Sequence, residues 1–293
     1  MSADTGAQPA QTALITGATD GLGRAMAIFL AANGYRIFAG GRSAEKRASL
    51  ERLAEERKLL IETLDMDVSD DASVSRGVGR VLDRAGQIDV LINNAGVAYV
   101  AVLEEIRLDD LRRQYETNVL GVLRVTQAVL PAMRERRRGR ILNISSIAGR
   151  IALPLMGPYA SSKHALEGLS DSLRLELAPF GVRVVLIEPG FIPTNMSNTA
   201  LDLSAAYAAK AEKSPYAAIY RAFRETWKKS TTAARTTPED CARVILRAIL
   251  DTPPKPRYTV TPNARVGVIL KRLLPDRVLD KRILHSMGLD KPL

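Results

Sequence analysis

The sequence predicts an α/β fold: a doubly wound parallel sheet with helices on both faces. Short apolar segments that resemble buried strands alternate with longer amphipathic segments along most of the 293 residues. Such alternation is typical of parallel strands joined by crossover helices. A glycine-rich turn from Gly17 to Gly23 follows the first apolar segment directly and opens a helix. This strand-turn-helix arrangement is the second indication of the fold, because it is how such sheets begin.

The elements follow one another in a regular order. Six predicted strands precede residue 190: TALIT, YRIFAG, LLIETLDM, IDVLINN, RILNIS and VRVVLIEP. Amphipathic segments between them predict helices that end at 33 and run from about 43 to 57 and from about 109 to 138. A later helix is predicted to begin at Thr237–Asp240, since threonine caps a helix, proline fits its first turn and acids follow. RYTV would be the last strand.

The chain is predicted to form one domain with a helical extension. The domain would cover 10–262, with a variable segment at 191–236, and the extension would cover 263–293. The extension is predicted to contain two basic amphipathic helices divided at Pro275. Such helices suit a partner subunit, a pocket wall or an anionic membrane surface, and we favour the first two over peripheral membrane contact.

Composition excludes several classes of protein. With 46% hydrophobic and 25% charged residues the chain resembles an ordinary globular protein, and no apolar run approaches the roughly 18 residues of a membrane span. The polar N-terminal segment indicates a cytoplasmic protein. A single cysteine, Cys241, excludes an internal disulfide, and two histidines, His164 and His285, make no zinc cluster, so no metal site is predicted.

The net charge of +10 raises the question of nucleic-acid binding. The arginines are spread along the chain, and the densest group, within 134–140, lies between a predicted helix and a strand. Cations favour a helix C-terminus, so a solvated helix end explains this group, and we expect no nucleic-acid partner.

Three residues form a pattern suited to proton exchange at an alcohol or a ketone. Ser146 is followed thirteen positions later by Tyr159 and then by Lys163. Residues four apart are neighbours on a helix, so Tyr159 and Lys163 would share one face. The ordinary pKa of a tyrosine phenol is about 10, so a phenol that exchanges protons near neutral pH needs adjacent positive charge. Lys163 supplies this charge. Ser146, or alternatively Ser145, could hydrogen-bond the substrate oxygen.

Further motifs accompany these three residues at matching intervals. The chain resembles the short-chain dehydrogenase/reductase family from about Thr12 to Thr194, in the correct order. The resemblance rests on the following motifs: Thr16-Gly17-Ala18-Thr19-Asp20-Gly21-Leu22-Gly23, Asn93-Asn94-Ala95-Gly96, Asn118, Ser146, Tyr159, Lys163 and Pro189-Gly190.

The resemblance implies a Rossmann fold and a role for each catalytic residue. Tyr159 would be the acid/base, and Ser146 would hold the substrate oxygen. Lys163 would bind the nicotinamide ribose and lower the pKa of Tyr159. Asn118 would break its helix to hold a water that links Lys163 to solvent.

The resemblance also implies a set of residues that bind a nicotinamide dinucleotide. Thr194 lies at the spacing where the family bonds the nicotinamide carboxamide. The full implied set is Gly17, Thr19, Gly21, Leu22, Gly23, Arg42, Asp67, Val68, Asn94, Ala95, Gly96, Tyr159, Lys163, Pro189, Gly190, Ile192 and Thr194.

Cofactor choice is predicted from the end of the second strand. An acid there would bind the ribose hydroxyls of NAD and repel a 2′-phosphate. The chain has Gly40-Gly41-Arg42-Ser43 instead, and guanidinium pairs well with phosphate, so NADP(H) is preferred over NAD(H). Asp20 is a departure, because some NADP-using members carry a basic residue there. Asp67 and Val68 resemble the pair that lines the adenine pocket, although an aspartate near a helix start can also be a cap.

The segment after Gly190 carries the information on substrate. Tyr216, Tyr220, Phe223 and Trp227 recur at helical intervals. Such a stripe could close a hydrophobic pocket as a lid, or pack on the core or a partner subunit. In the family this position forms the lid, which implies a bulky steroid-, retinoid- or acyl-like ketone, aldehyde or alcohol. A redox-silent NADP-binding regulator is the alternative, and a homodimer or homotetramer is expected.

Overall fold

Seven parallel strands form a single sheet in the computed structural model, which describes residues 10–290. The strands are β1 (Thr12–Ile15), β2 (Arg36–Gly41), β3 (Ile61–Asp65), β4 (Val90–Asn93), β5 (Gly139–Ile144), β6 (Val182–Glu188) and β7 (Arg257–Thr259). Their order across the sheet is β3-β2-β1-β4-β5-β6-β7. The predicted doubly wound sheet is confirmed.

The strand order reverses between β1 and β4. From β1 the chain moves outward to β2 and β3, then returns to β4 on the other side of β1 and continues to β7. Connections leave β1 and β4 in opposite directions, so a crevice opens at the carboxyl ends of these two strands. Ligands of open parallel sheets bind at such a switch point.

Helices cover both faces of the sheet. Their bounds are α1 (Gly21–Ala32), α2 (Ala44–Glu56), α3 (Asp71–Ala85), α4 (Leu108–Tyr115), α5 (Gly121–Glu135), α6 (Gly157–Leu177), α7 (Asn195–Leu203), α8 (Ala205–Ala208), α9 (Ala217–Ala233), α10 (Pro238–Leu250), α11 (Pro262–Leu273) and α12 (Asp276–Ser286). One apolar core lies between the sheet and α1 and α10, and the other lies beneath α3, α5 and α6. The predicted cap at Thr237 is confirmed, and Asp240 completes a capping box with it.

The helix predicted for about 109–138 is interrupted. It is divided into α4, a π-helical turn at Glu116–Leu120, and α5. A π turn contains one more residue than an α turn, and the periodicity of the sequence does not reveal it. The interruption places Asn118 in the π turn.

Two short helices, α11 and α12, follow β7 and are divided at Pro275, as the sequence predicts. The last three residues of the predicted extension, 291–293, lie outside the described residues. Between residues 10 and 290, no helix is both long enough and apolar enough to cross a membrane. In that same range, no three His, Cys, Asp or Glu side chains come together as a metal site.

Candidate active site

Two hydroxyl groups meet at the carboxyl end of β5. Ser146 follows the strand and caps a short 3-10 turn, Ile147–Gly149, where its oxygen accepts a hydrogen bond from the Ala148 amide at 3.1 Å. Tyr159 lies in the first turn of α6, and both residues line two adjoining cavities. The sheet edge and the start of α6 therefore bring together the predicted serine and tyrosine.

The environment of Tyr159 opposes its ionisation. Burial raises the pKa of Tyr159 to about 12, although a hydrogen bond with Ser146 lowers it. Lys163 lies with its Nζ 5.7 Å from the centroid of the Tyr159 ring and donates to the Ile144 carbonyl at 2.8 Å. The role of Lys163 in lowering the pKa of Tyr159 stays a prediction.

Lys163 is itself strongly affected by its surroundings. Burial lowers the pKa of its ammonium group to about 8, against an ordinary value of 10.5, while the charge of Glu167 raises it. Only 3% of Lys163 is exposed. Its charge is thus held in the interior at an energetic cost.

The competing serine faces another group. Ser145 is buried close to Glu167, whose pKa is raised chiefly by burial, and among the described residues its hydroxyl has no hydrogen-bond partner. Ser146, in contrast, lies beside the phenol of Tyr159.

Asn118 acts on the backbone of a neighbouring loop. Its amide nitrogen donates to the Val97 carbonyl at 2.9 Å and to Ser162 Oγ at 3.0 Å, and its oxygen accepts from the Val97 amide at 2.9 Å. The side chain therefore fixes the loop after β4. The predicted water relay through Asn118 stays a prediction.

A cavity of about 310 Å³ lies along the switch point between β1 and β4. Fourteen of the seventeen residues predicted to bind the cofactor line it: Gly17, Gly21, Leu22, Gly23, Arg42, Asn94, Ala95, Gly96, Tyr159, Lys163, Pro189, Gly190, Ile192 and Thr194.

Three predicted residues do not line this cavity. Thr19 packs against Gly41 at the end of β2. Any residue with a β-carbon at position 41 would place that carbon 2.4 Å from Thr19 Oγ1, so the two residues are in close contact. Val68 is buried in the core and contacts Gly121. Asp67 pairs with Arg42 at 3.5 Å. Burial raises the pKa of Asp67, but hydrogen bonds from Ser69 and the charge of Arg42 outweigh burial, so the pKa lies below its ordinary value.

The glycine-rich turn fits a pyrophosphate. Gly17 and Gly21 have φ angles of +61° and +50°, which favour glycine. A β-carbon at Gly23 would lie 2.1 Å from the carbonyl oxygen of Gly17, so only glycine lets α1 begin so close to the loop. The first residues of α1, Gly21, Leu22 and Gly23, line the cavity, and a helix N-terminus is a favourable place for phosphate. The donor set therefore fits the predicted dinucleotide.

Sequence reasoning missed a cation beside this turn. Lys46, in the first turn of α2, pairs with Asp20, whose carboxylate also accepts from Asn195 and from the Gly21 amide. Burial raises the pKa of Asp20, but these hydrogen bonds lower it below its ordinary range. Lys46 lies close in the chain to Arg42, in the first turn of the helix predicted from about 43, and this position could have indicated it. The acid that departs from the family pattern is thus neutralised by a neighbouring lysine.

A second cavity, of about 500 Å³, opens on the other side of Ser146 and Tyr159. Its walls come from the turn after β5, the segment after β6, and helices α7, α9, α11 and α12. Leu270 and Leu279 belong to α11 and α12, so the C-terminal helices form part of its wall. This agrees with one of the roles predicted for the extension.

The aromatic stripe divides into two pairs. Trp227 packs edge-on against Phe191 with ring centroids 5.2 Å apart and lies 5.5 Å from Phe223, and all three line the larger cavity. Tyr216 and Tyr220 instead donate hydrogen bonds to Glu104 and Glu105. The phenols therefore fasten α9 to the loop after β4, while the other two rings close the cavity.

An ionic cluster lies behind Lys163. Arg257 on β7 donates to Glu167 at 3.0 Å and to Asp171 at 2.6 Å, and its Nε is 3.5 Å from Glu188. Sequence reasoning missed the cluster, because its members lie far apart in the chain. It fastens the last strand to α6, the helix that carries Tyr159 and Lys163.

Known proteins resemble the whole chain. The family model for short chain dehydrogenases matches residues 11–203. An uncharacterized oxidoreductase, YusZ, of Bacillus subtilis is 34% identical, covering 92% of this chain and 98% of its own. An NADPH-dependent 3-dehydrocapnine reductase of Ornithobacterium rhinotracheale is also 34% identical, with coverages of 92% and 94%.

A solved structure agrees with these relatives. A short chain dehydrogenase/reductase from Burkholderia phymatum in complex with NAD superposes with a TM-score of 0.80 at 26% identity, covering 92% of this chain and 95% of that one. Together with the matched family model, these similarities show that the chain belongs to the short-chain dehydrogenase/reductase family of oxidoreductases.

Proposed function

We propose that the protein is an NADP-dependent oxidoreductase that interconverts a bulky hydrophobic ketone or aldehyde with its alcohol. One observation carries this proposal: the nucleotide cavity and the apolar cavity meet at Ser146 and Tyr159. A substrate carbonyl between the two hydroxyls would also border the nucleotide cavity. No binding site for a second polar substrate is needed for this reaction.

The residues of the site suit carbonyl reduction. The bound nicotinamide would supply the hydride in reduction and accept it in oxidation. Ser146 donates a hydrogen bond to the carbonyl oxygen, and Tyr159 donates the proton that completes the alcohol. Lys163 provides a buried positive charge on the same helix face, which stabilises the phenolate that remains. In oxidation the phenolate removes the alcohol proton.

The walls of the larger cavity support a hydrophobic substrate. Phe191, Phe223 and Trp227 border it together with aliphatic side chains of α11 and α12. Its volume of about 500 Å³ lies within the range of small-molecule sites. Steroid-, retinoid- and acyl-like carbonyl compounds all match these walls.

The test of this function is a screen of NADPH oxidation against steroid, retinoid and aliphatic ketones. Turnover of at least one hydrophobic ketone that depends on Ser146 supports the proposal. The alternative, a redox-silent NADP-binding regulator on the same fold, predicts tight NADPH binding with no turnover of any carbonyl compound. Both predicted hydroxyls are in place, which favours the enzyme.

The preference for NADP(H) is supported by Arg42, which lines the nucleotide cavity, and by Lys46, which pairs with Asp20 in the wall of that cavity. Arg42→Ala is expected to raise the Michaelis constant for NADPH about tenfold and that for NADH less than about twofold, because only NADPH carries this phosphate. The factor is modest because the Arg42 side chain is 70% exposed.

Steady-state kinetics with both nucleotides measures this difference. Arg52→Ala is the matched control, since Arg52 is an exposed arginine of α2 outside the cavity. Equal changes for NADPH and NADH would show that Arg42 does not select the nucleotide.

Assembly and location stay predictions. We propose a homodimer or homotetramer in the cytoplasm, and peripheral membrane contact is the weaker alternative for the C-terminal helices. The outward face of α11 exposes Val266, Ile269 and Leu273, a surface that either a second subunit or a bilayer would cover. Sedimentation velocity with and without anionic vesicles distinguishes these outcomes.

A further inference from the structure

The larger cavity contains one charged side chain among its lining residues. Arg282, on α12, is the exception in a wall of apolar, glycine and hydroxyl-bearing residues, with no carboxylate beside it in that wall. Arg282 is exposed to solvent, so its guanidinium lies at the rim of the cavity and stays hydrated there. A charge in this position is available to an anionic group on a ligand that fills the apolar cavity.

Arg282 has no acidic partner within the described part of the chain. Among residues 10–290 it makes neither an ion pair nor a hydrogen bond with another residue, whereas many other surface arginines do. Arg221 and Arg224, for example, share Glu212 on the neighbouring surface. The nearest acid in sequence, Asp280, does not line the cavity. The guanidinium group is therefore free to bind an anion.

Arg282 also marks one end of the cavity. It is exposed to solvent, while Tyr159 lies half-buried where the two cavities meet. Ser286, one helical turn after Arg282, lines the same wall and offers a hydroxyl group. The wall of one apolar cavity thus carries both an exposed cation and the reacting hydroxyls.

We infer that Arg282 binds the anionic head group of an amphiphilic substrate whose apolar body fills the cavity. The substrate class is then a hydrophobic ketone or alcohol that also carries a carboxylate, sulfonate or phosphate. Guanidinium pairs with any of these groups through two parallel hydrogen bonds. Calling this ligand a substrate rests on the proposed function, but the anion site itself does not.

Binding without turnover tests the site. Isothermal titration of dodecanoate and of dodecan-1-ol compares an anionic with a neutral chain of the same length. We expect the wild-type protein to bind dodecanoate about tenfold more tightly than dodecan-1-ol, a factor that a partly exposed charged pair can supply. Arg282→Met should remove this difference. Arg277→Met is the control, because Arg277 is exposed on the same helix outside the cavity.

Kinetics tests whether the ligand is a substrate. With NADPH, a long-chain oxo acid and its methyl ester are compared in the wild type and in Arg282→Met. The variant should raise KM for the acid about tenfold, with kcat and the ester reaction unchanged.

The possible outcomes separate the two claims. Equal wild-type binding of dodecanoate and dodecan-1-ol, or a preference that survives in Arg282→Met, overturns the anion site. Absence of NADPH oxidation with every carbonyl compound contradicts the proposed function, while a preference for dodecanoate that is lost in Arg282→Met still supports the site. Equal KM values for acid and ester limit the site to a ligand other than the substrate.

Discussion

Tyr159→Phe is expected to lower kcat about a thousandfold while NADPH still binds. The phenylalanine ring keeps the shape of the wall shared by the two cavities but lacks the proton that completes the alcohol. Loss of a positioned acid or base typically lowers the rate by about two to four orders of magnitude, and a value in the middle of this range is expected here. Stopped-flow kinetics measures the hydride step, and NADPH fluorescence titration measures binding, which should change less than about twofold.

The neighbouring serines provide a matched comparison. Ser146→Ala should lower kcat about a hundredfold, since it removes a donor to the developing charge on the substrate oxygen. Ser145→Ala should have a much smaller effect on kcat, because Ser145 faces Glu167. Activity retained in Tyr159→Phe, or equal losses in the two serine variants, would contradict the assigned roles.

Lys163→Met is expected to stabilise the nucleotide-free protein by about 2 kcal/mol near neutral pH while it lowers activity. Folding lowers the Lys163 pKa from 10.5 to about 8, a difference that corresponds to about 3 kcal/mol for the ammonium form. Methionine fills similar space without the charge. The lost hydrogen bond to the Ile144 carbonyl offsets about 1 kcal/mol of the gain.

The gain should depend on pH in a defined direction. Between pH about 8 and 10.5 the unfolded wild-type chain binds more protons than the folded one, so wild-type stability rises with pH relative to the variant. The advantage of Lys163→Met is therefore full below pH about 8, falls as the pH rises, and is lost before pH 10.5, because the missing hydrogen bond remains a cost.

Urea unfolding at several pH values measures this difference in free energy of unfolding. Lys229→Met, at an exposed lysine of α9, is the control and should show no such gain. A Lys163→Met variant that is less stable than the wild type at neutral pH would show that the ammonium group is better compensated than its burial indicates.

The parts of the fold that the sequence predicts well are those determined by local pattern. Residues 90–92 of β4 and 184–187 of β6 are apolar runs, which is typical of parallel strands buried on both faces. Thr237 and Asp240 identify the start of α10 because a capping box needs only four consecutive residues. Tyr159 and Lys163 are likewise linked by helical spacing alone.

The parts that the sequence does not reveal depend on contacts between distant segments. Arg257 meets Glu167 across ninety residues, and no local signal connects them. The π turn at Asn118 agrees with the helix break that the family resemblance implies, but the periodicity of the segment does not show it. The surroundings that raise the pKa of Tyr159 likewise come from distant segments and are not visible in a single sequence.

The edge-on contact between Trp227 and Phe191 has an experimental consequence. Trp227 is the only tryptophan of the chain, and its indole lies in the wall of the larger cavity. Indole emission responds to the polarity and mobility of its surroundings. The fluorescence of this protein is therefore an intrinsic reporter of cavity filling, free of background from any other indole, and it needs neither a label nor turnover.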